Sequence, residues 1–172
     1  MVKELWRVAN EEIRKKIIRC PPEILIDFQD ARKNNPALYK AFAEGDNGRD
    51  NVATLNDLFR AFDISVRKAS YLAKGRKPRE IVVRYDLLIQ PKPGKTRTEF
   101  INAVLQVRTA LADDEKLEVL LESTKWTLWA NKYRAMDILT VNEEGMPAFA
   151  HPYVRPQLVA SLDNLLLRLS SS

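Results

Sequence analysis

A single, mainly helical bundle is the fold that this 172-residue chain predicts. Three observations carry the expectation. Apolar residues recur at three- and four-residue steps along most of the sequence. Prolines and Asn/Gly clusters cut that pattern into helix-length pieces. Only residues 81 to 89 alternate in the manner of a strand. Hydrophobic residues make up 45% and charged residues 30%, the balance of a folded globular chain, and the length suits one domain over 1–172.

The elements are predicted in order. Residues 3 to 18 read as an amphipathic helix, with Leu5, Trp6, Ala9, Ile13 and Ile17 on one stripe and Arg14, Lys15 and Lys16 off it. Pro21 and Pro22 end it, and Pro22 is placed to open a helix from Glu23 to Lys33. Asn34-Asn35-Pro36 is a turn before a short helix to about Ala43, and Gly45 to Asp50 is a loop on composition. Thr54 and Asp57 form a capping pair for a helix that kinks near Asp63, runs to Lys74 and stops at Gly75. At 100° per residue, Leu55, Leu58, Phe62, Val66, Ala69 and Ala73 share one side of it. Arg60, Arg67 and Lys74, with Tyr71 beside them, share the other.

The stretch Ile81 to Ile89 is ambiguous. Its odd positions are all apolar, as in a strand, yet a lone strand has no partner for its backbone groups, which favours helix. Pro91 to Gly94 ends it in either case. Thr96 and Glu99 form a capping box for a helix from Arg97 to about Ala112, buried through Phe100, Val104, Val107 and Leu111. Asp113-Asp114 starts another, holding Leu117, Leu120, Leu121, Leu128, Trp129 and Tyr133, with a break near Thr124. Val141 to Val154 is the longest loop. Pro156 opens a last helix to about Leu169, apolar at Leu158, Val159, Leu162, Leu165, Leu166 and Leu169.

Chemistry is sparse. One His and one Cys supply no metal-ligand cluster, and His151 reads as an exposed or structural histidine, since the sequence shows no partners for a catalytic role. Cys20 reads as a packing residue; as the only cysteine it allows no intramolecular disulfide and fits a reducing compartment. Gly94-Lys95-Thr96 keeps only the end of a phosphate-binding loop. Asp113-Asp114 and Glu143-Glu144 are adjacent pairs whose side chains diverge. No enzyme and no cofactor is expected. No apolar run approaches the ~18 residues of a membrane span, and Met1 to Trp6 is not a signal-peptide pattern, so a cytoplasmic protein without membrane contact is expected.

Charge is the informative signal. The net charge is +5, but residues 60 to 97 hold 11 basic and 3 acidic residues, or +8, which leaves −3 for the rest. Such a footprint suits a polyanion. The expected contacts are Arg60, Arg67, Lys68 and Lys74 along one helix flank, Arg76, Lys77 and Arg79 in the turn beyond it, and Lys92, Lys95 and Arg97 in a second turn near the first. Lys125 and Lys132 form a looser second patch. Binding through phosphates is independent of sequence and sensitive to salt. Trp6, Trp126 and Trp129 read as core residues, and Tyr71 alone shares the basic side.

The basic stretch from Arg60 to Arg79, the helical pattern, and His151-Pro152-Tyr153-Val154-Arg155-Pro156 leading into Leu158 to Leu169 together resemble the small subunit of type I (Cascade) CRISPR surveillance complexes. The start at Val2-Lys3-Glu4-Leu5-Trp6 is similar to the form made by internal translation from a large-subunit gene, as in type I-D. The resemblance implies a non-catalytic helical bundle, present in several copies beside other subunits of a guide-RNA complex. Such a subunit holds target or displaced DNA by its backbone, while the guide RNA reads sequence. Two other readings stay open: a helical nucleocapsid or coat subunit, and a protein–protein adaptor whose basic face meets an acidic partner. DNA and RNA are not distinguished.

Overall fold

A computed structural model describes residues 20–43, 45–130, 139–141, 147–149 and 153–171. It shows an α+β fold, mainly helical but built around a three-stranded antiparallel sheet. The single helical bundle expected from the sequence is thereby corrected. The expected helix at 3–18 with Trp6, and the residues Lys132, Tyr133 and His151, lie outside the described residues, as do the side chains of Lys125, Trp126 and Trp129.

The elements run β1 (Glu23–Asp27), α1 (Phe28–Asn34), α2 (Pro36–Phe42), α3 (Gly45–Phe59), a 3-10 turn (Arg60–Phe62), β2 (Ile64–Lys74), β3 (Ile81–Pro91), α4 (Arg97–Ala112), α5 (Asp114–Ala130), β4 (Leu139–Val141), β5 (Pro147–Phe149) and α6 (Val154–Ser170). The helix expected from Glu23 therefore begins as a strand. Glu23-Ile24-Leu25-Ile26 is an extended apolar run, and Asp27 then caps α1 by accepting from the Gln29 and Asp30 N–H groups. The Gly45–Asp50 stretch is helical, not a loop. At Gly48 an added Cβ would lie 2.9 Å from the Phe42 carbonyl oxygen, so the glycine marks close packing of α3 on the end of α2. Thr54 is no cap; it sits inside α3 and its hydroxyl donates to the Asp50 carbonyl.

The largest correction concerns residues 60 to 89. The helix expected to run to Lys74 ends at Phe59, and Asp63 turns the chain in the left-handed region, with φ 59°. The chain then continues as β2, which pairs with β3 over eleven residues, from Ile64↔Pro91 to Lys74↔Ile81. Residues 81–89 are strand, flanked on their other side by β1 in the order β1-β3-β2. Both partners carry helix-like patterns in the sequence, which leaves this strand without a visible partner there. A bulge between Ile24 and Ile26 turns both Leu25 and Ile26 inward.

The core joins one sheet face to the helices. Ile64, Val66, Leu87 and Ile89 share that face by register and are buried. They cluster with Leu55, Leu58 and Phe59 of α3, Phe100, Val104 and Val107 of α4, and Leu158, Leu162 and Leu165 of α6. The α4 helix is capped as expected, Thr96 Oγ1 accepting from the Glu99 N–H while Glu99 returns to the Thr96 N–H. Asn56 Oδ1 accepts from the Val66 N–H at 2.8 Å, stitching α3 to β2. Arg108 grips Asp163 at 2.7 Å between α4 and α6. Cys20 packs, half-buried, against the core. The loop expected over 141–154 contains β5, which pairs with β4.

Asp86, on the second sheet face, is buried opposite Asp27, and its Oδ1 finds no hydrogen-bond donor among the described residues. Burial, and then the Asp27 charge, raise its pKa above the ordinary 3.8. Stability from this group is present below the ordinary value and is lost as pH rises through the raised one, because ionisation is then harder in the folded state. Asp86→Asn should therefore melt above wild type at pH 7, with the gap closing below about pH 4, as thermal scans across pH would read.

Candidate nucleic-acid interface

Both ends of the β2–β3 ladder are closed by backbone bonds. Gly75 N–H donates to Glu80 O at 2.8 Å, and Lys92 N–H donates to Asp63 O at 3.0 Å. The core covers only the half near Asp63. Five pairs, from Ser70↔Tyr85 to Lys74↔Ile81, contain no buried residue. The row that begins with Ile64 and Val66 in the core continues outward to Leu72 and Ile81, which are 71% and 70% exposed. A two-stranded arm thus runs on past the core, and five residues at about 3.3 Å each carry it roughly 15 Å before its turn.

That turn is ordered by its own hydrogen bonds. Glu80 N–H donates to Lys77 O, and Pro78 and Arg79 occupy the two central positions, Arg79 at φ 63°. This is the type II pattern, with proline first and positive φ second. The Glu80 carboxylate accepts from the Lys77 N–H at 3.0 Å. It also fills the space beside Gly75, where a Cβ would sit 2.6 Å from Glu80 carbons. The only acid of the turn is thereby folded against its backbone. Arg76, Lys77 and Arg79 stay exposed on its outside, next to Lys74.

The other expected contacts scatter. Arg60 lies in the 3-10 turn, at the end of the ladder away from the tip. Arg67 and Lys74 are seven residues apart, which aligns them on a helix but puts them on opposite faces of a strand. The single flank of Arg60, Arg67 and Lys74 does not exist. Lys68 is anchored: its ammonium lies 5.6 Å from the Phe28 ring centre and 4.7 Å from that of Tyr85, and it donates to the Ala43 carbonyl. The two basic turns do not adjoin either. They sit at opposite ends of β3, ten residue steps apart, or roughly 33 Å.

The second turn is also neutralised from within. Lys92 Nζ is 2.9 Å from Asp63 Oδ1; Lys95 Nζ is 3.6 Å from Asp63 Oδ2 and 3.6 Å from Glu99 Oε2. The hydrogen bond and charge of Lys92 hold the Asp63 carboxyl below its ordinary range. Arg97 donates to the Leu169 carbonyl at 2.8 Å. These three cations serve the fold.

The structure adds residues that the charge count did not single out. Between the outer part of the arm with its turn and α1 and α2 lies a cleft of about 610 Å³ lined by Arg32, Tyr39, Arg76, Lys77, Arg84 and Tyr85, with Phe28 and Glu80. Arg32 is more than forty residues from the turn in sequence, and the β1–β3 pairing with the packing of α1 on β3 brings it there. Among the described residues no three His, Cys, Asp or Glu side chains are placed to hold a metal ion. No described helix is long and apolar enough to cross a membrane.

Arg79→Gly relieves a left-handed arginine while removing one tip charge. The expected result is an unchanged or higher melting temperature with weaker polyanion binding, read by calorimetry and heparin elution on one sample. No family model, curated protein or solved structure matches this chain, and the helical bundle implied by the resemblance is not the fold found.

Proposed function

We propose that the protein is a non-catalytic subunit of a ribonucleoprotein that grips a nucleic-acid backbone with its β2–β3 arm, without reading sequence. One observation carries the reading. Between Arg67 and Arg84 stand seven basic residues and one acidic residue, Glu80. Among the described residues, Arg67, Lys74, Arg76, Lys77 and Arg79 make no ion pair, in contrast to Lys92 and Lys95. Exposed cations gathered on one ribbon repel one another and gain most when a polyanion joins them. A two-stranded ribbon is also narrow enough for a nucleic-acid groove. Holding a target or displaced strand in a guide-RNA complex, as the resemblance implies, is one such task.

A second reading has its own observation. Leu72, Ile81 and Val83 form an exposed apolar row on the arm, as an adaptor docking a protein partner would.

Replacing Lys74, Arg76, Lys77 and Arg79 together by Gln should lower affinity for DNA and RNA at least a hundredfold at low salt. It should also flatten the slope of log K against log salt by about 3. The melting temperature should hold, since all four side chains are exposed. The Lys92→Gln, Lys95→Gln double variant should bind like wild type. Unchanged affinity in the fourfold variant, measured by fluorescence anisotropy, overturns the arm and leaves the adaptor.

A further inference from the structure

We infer that the cleft beneath the arm takes one unstacked nucleotide of a single strand whose neighbouring phosphates lie on the arm; this rests on the nucleic-acid reading above. The cleft, about 610 Å³, falls in the roughly 300–1,000 Å³ range of small-ligand sites and is too small for a duplex. Its lining pairs two chemistries. Arg32, Arg76, Lys77 and Arg84 supply four cations, against the single carboxylate of Glu80, which is engaged by the Lys77 N–H. Tyr39 and Tyr85 supply rings, Tyr85 being 44% exposed with Lys68 near its ring. Arg32 lies 5.9 Å from the Tyr39 ring centre, so a guanidinium and an aromatic surface already stand together.

The backbone adds a third element. Because Gly75 bonds to Glu80 and Lys92 to Asp63, the bonded pairs of the ladder fall on odd residues of β2 and even residues of β3. Ile81, Val83 and Tyr85 consequently turn their N–H and C=O groups to the outer edge. The β1 pairing spans only Asp86 to Ile89, so no described strand covers that edge. A nucleotide uses all three features: phosphate on the guanidinium groups, base on a tyrosine, and base edge on the backbone groups of that edge. Free phosphate leaves the rings idle, and an acidic peptide brings nothing planar to them. A strand is favoured over a free nucleotide because Lys74 and Arg79 continue the cationic track past the cleft.

The test uses the wild-type protein and two labelled strands of equal length and charge, an oligothymidylate and its abasic counterpart. The oligothymidylate should bind about tenfold tighter, the size of one stacked base. Tyr85→Leu should erase that difference and Tyr85→Phe restore it; Tyr39→Leu serves if Tyr85→Leu unfolds. Equal wild-type affinities for the two strands overturn the nucleotide cleft and leave the arm standing. Binding of neither strand overturns the nucleic-acid reading itself. Displacement of the oligothymidylate by thymidine monophosphate at equal concentration overturns the strand in favour of a free nucleotide. Displacement by poly-glutamate at equal concentration overturns the nucleotide altogether.

Discussion

The β2–β3 ladder is longer than the core that supports it, and this mismatch organises the molecule. Eleven residue pairs are joined, but α3, α4 and α6 bury only the portion around Ile64, Val66, Leu87 and Ile89. Over the five outer pairs the strands bury no residue and face α1 and α2 only across the cleft, and an isolated hairpin is at best marginally stable in water. The arm therefore depends on its root and its tip. At the root, Lys68 is lodged against Phe28 and Tyr85 and tied to the Ala43 carbonyl, so a cation holds the ribbon to α1 and α2. At the tip, Pro78, left-handed Arg79 and the inward-turned Glu80 hold the turn in one form.

The same mismatch divides the basic residues by task. Five of those on the body are spent on structure: Lys92 and Lys95 on Asp63, Arg97 on the end of α6, Arg108 and Arg155 on Asp163 and Asp114. Those on the arm make no ion pair among the described residues, and the arm's one acid, Glu80, has its carboxylate held by the turn. Net charge along the chain could not reveal this division. Position along the ladder does.

The elements legible in the sequence were those whose signals are local. The Thr96/Glu99 box and the Phe100, Val104, Val107, Leu111 stripe identify α4 without reference to anything else, and the Leu158 to Leu169 stripe does the same for α6. The sheet was hidden because its evidence is distributed. Val66, Ala69 and Ala73 fall on a helical stripe with Leu55 and Leu58, and nothing short-range shows that Asp63 turns left-handed between them. Alternation at 81–89 is the true signal, outweighed because its partners at 23–27 and 64–74 match a helical pattern in sequence. Of the interface, the turn residues Arg76, Lys77 and Arg79 were legible from charge alone. Lys68 as an anchor, and Arg32, Tyr39 and Tyr85 as cleft walls, depend on contacts across the fold that no local pattern encodes.

Amide hydrogen exchange with and without a saturating oligonucleotide, at low salt, addresses the arm as the point of contact. Slowed exchange confined to residues 70–85 and to α1 and α2, with 92–97 unaffected, is the predicted pattern. Slowing centred on 92–97 or on α4, with the arm exchanging as before, contradicts it.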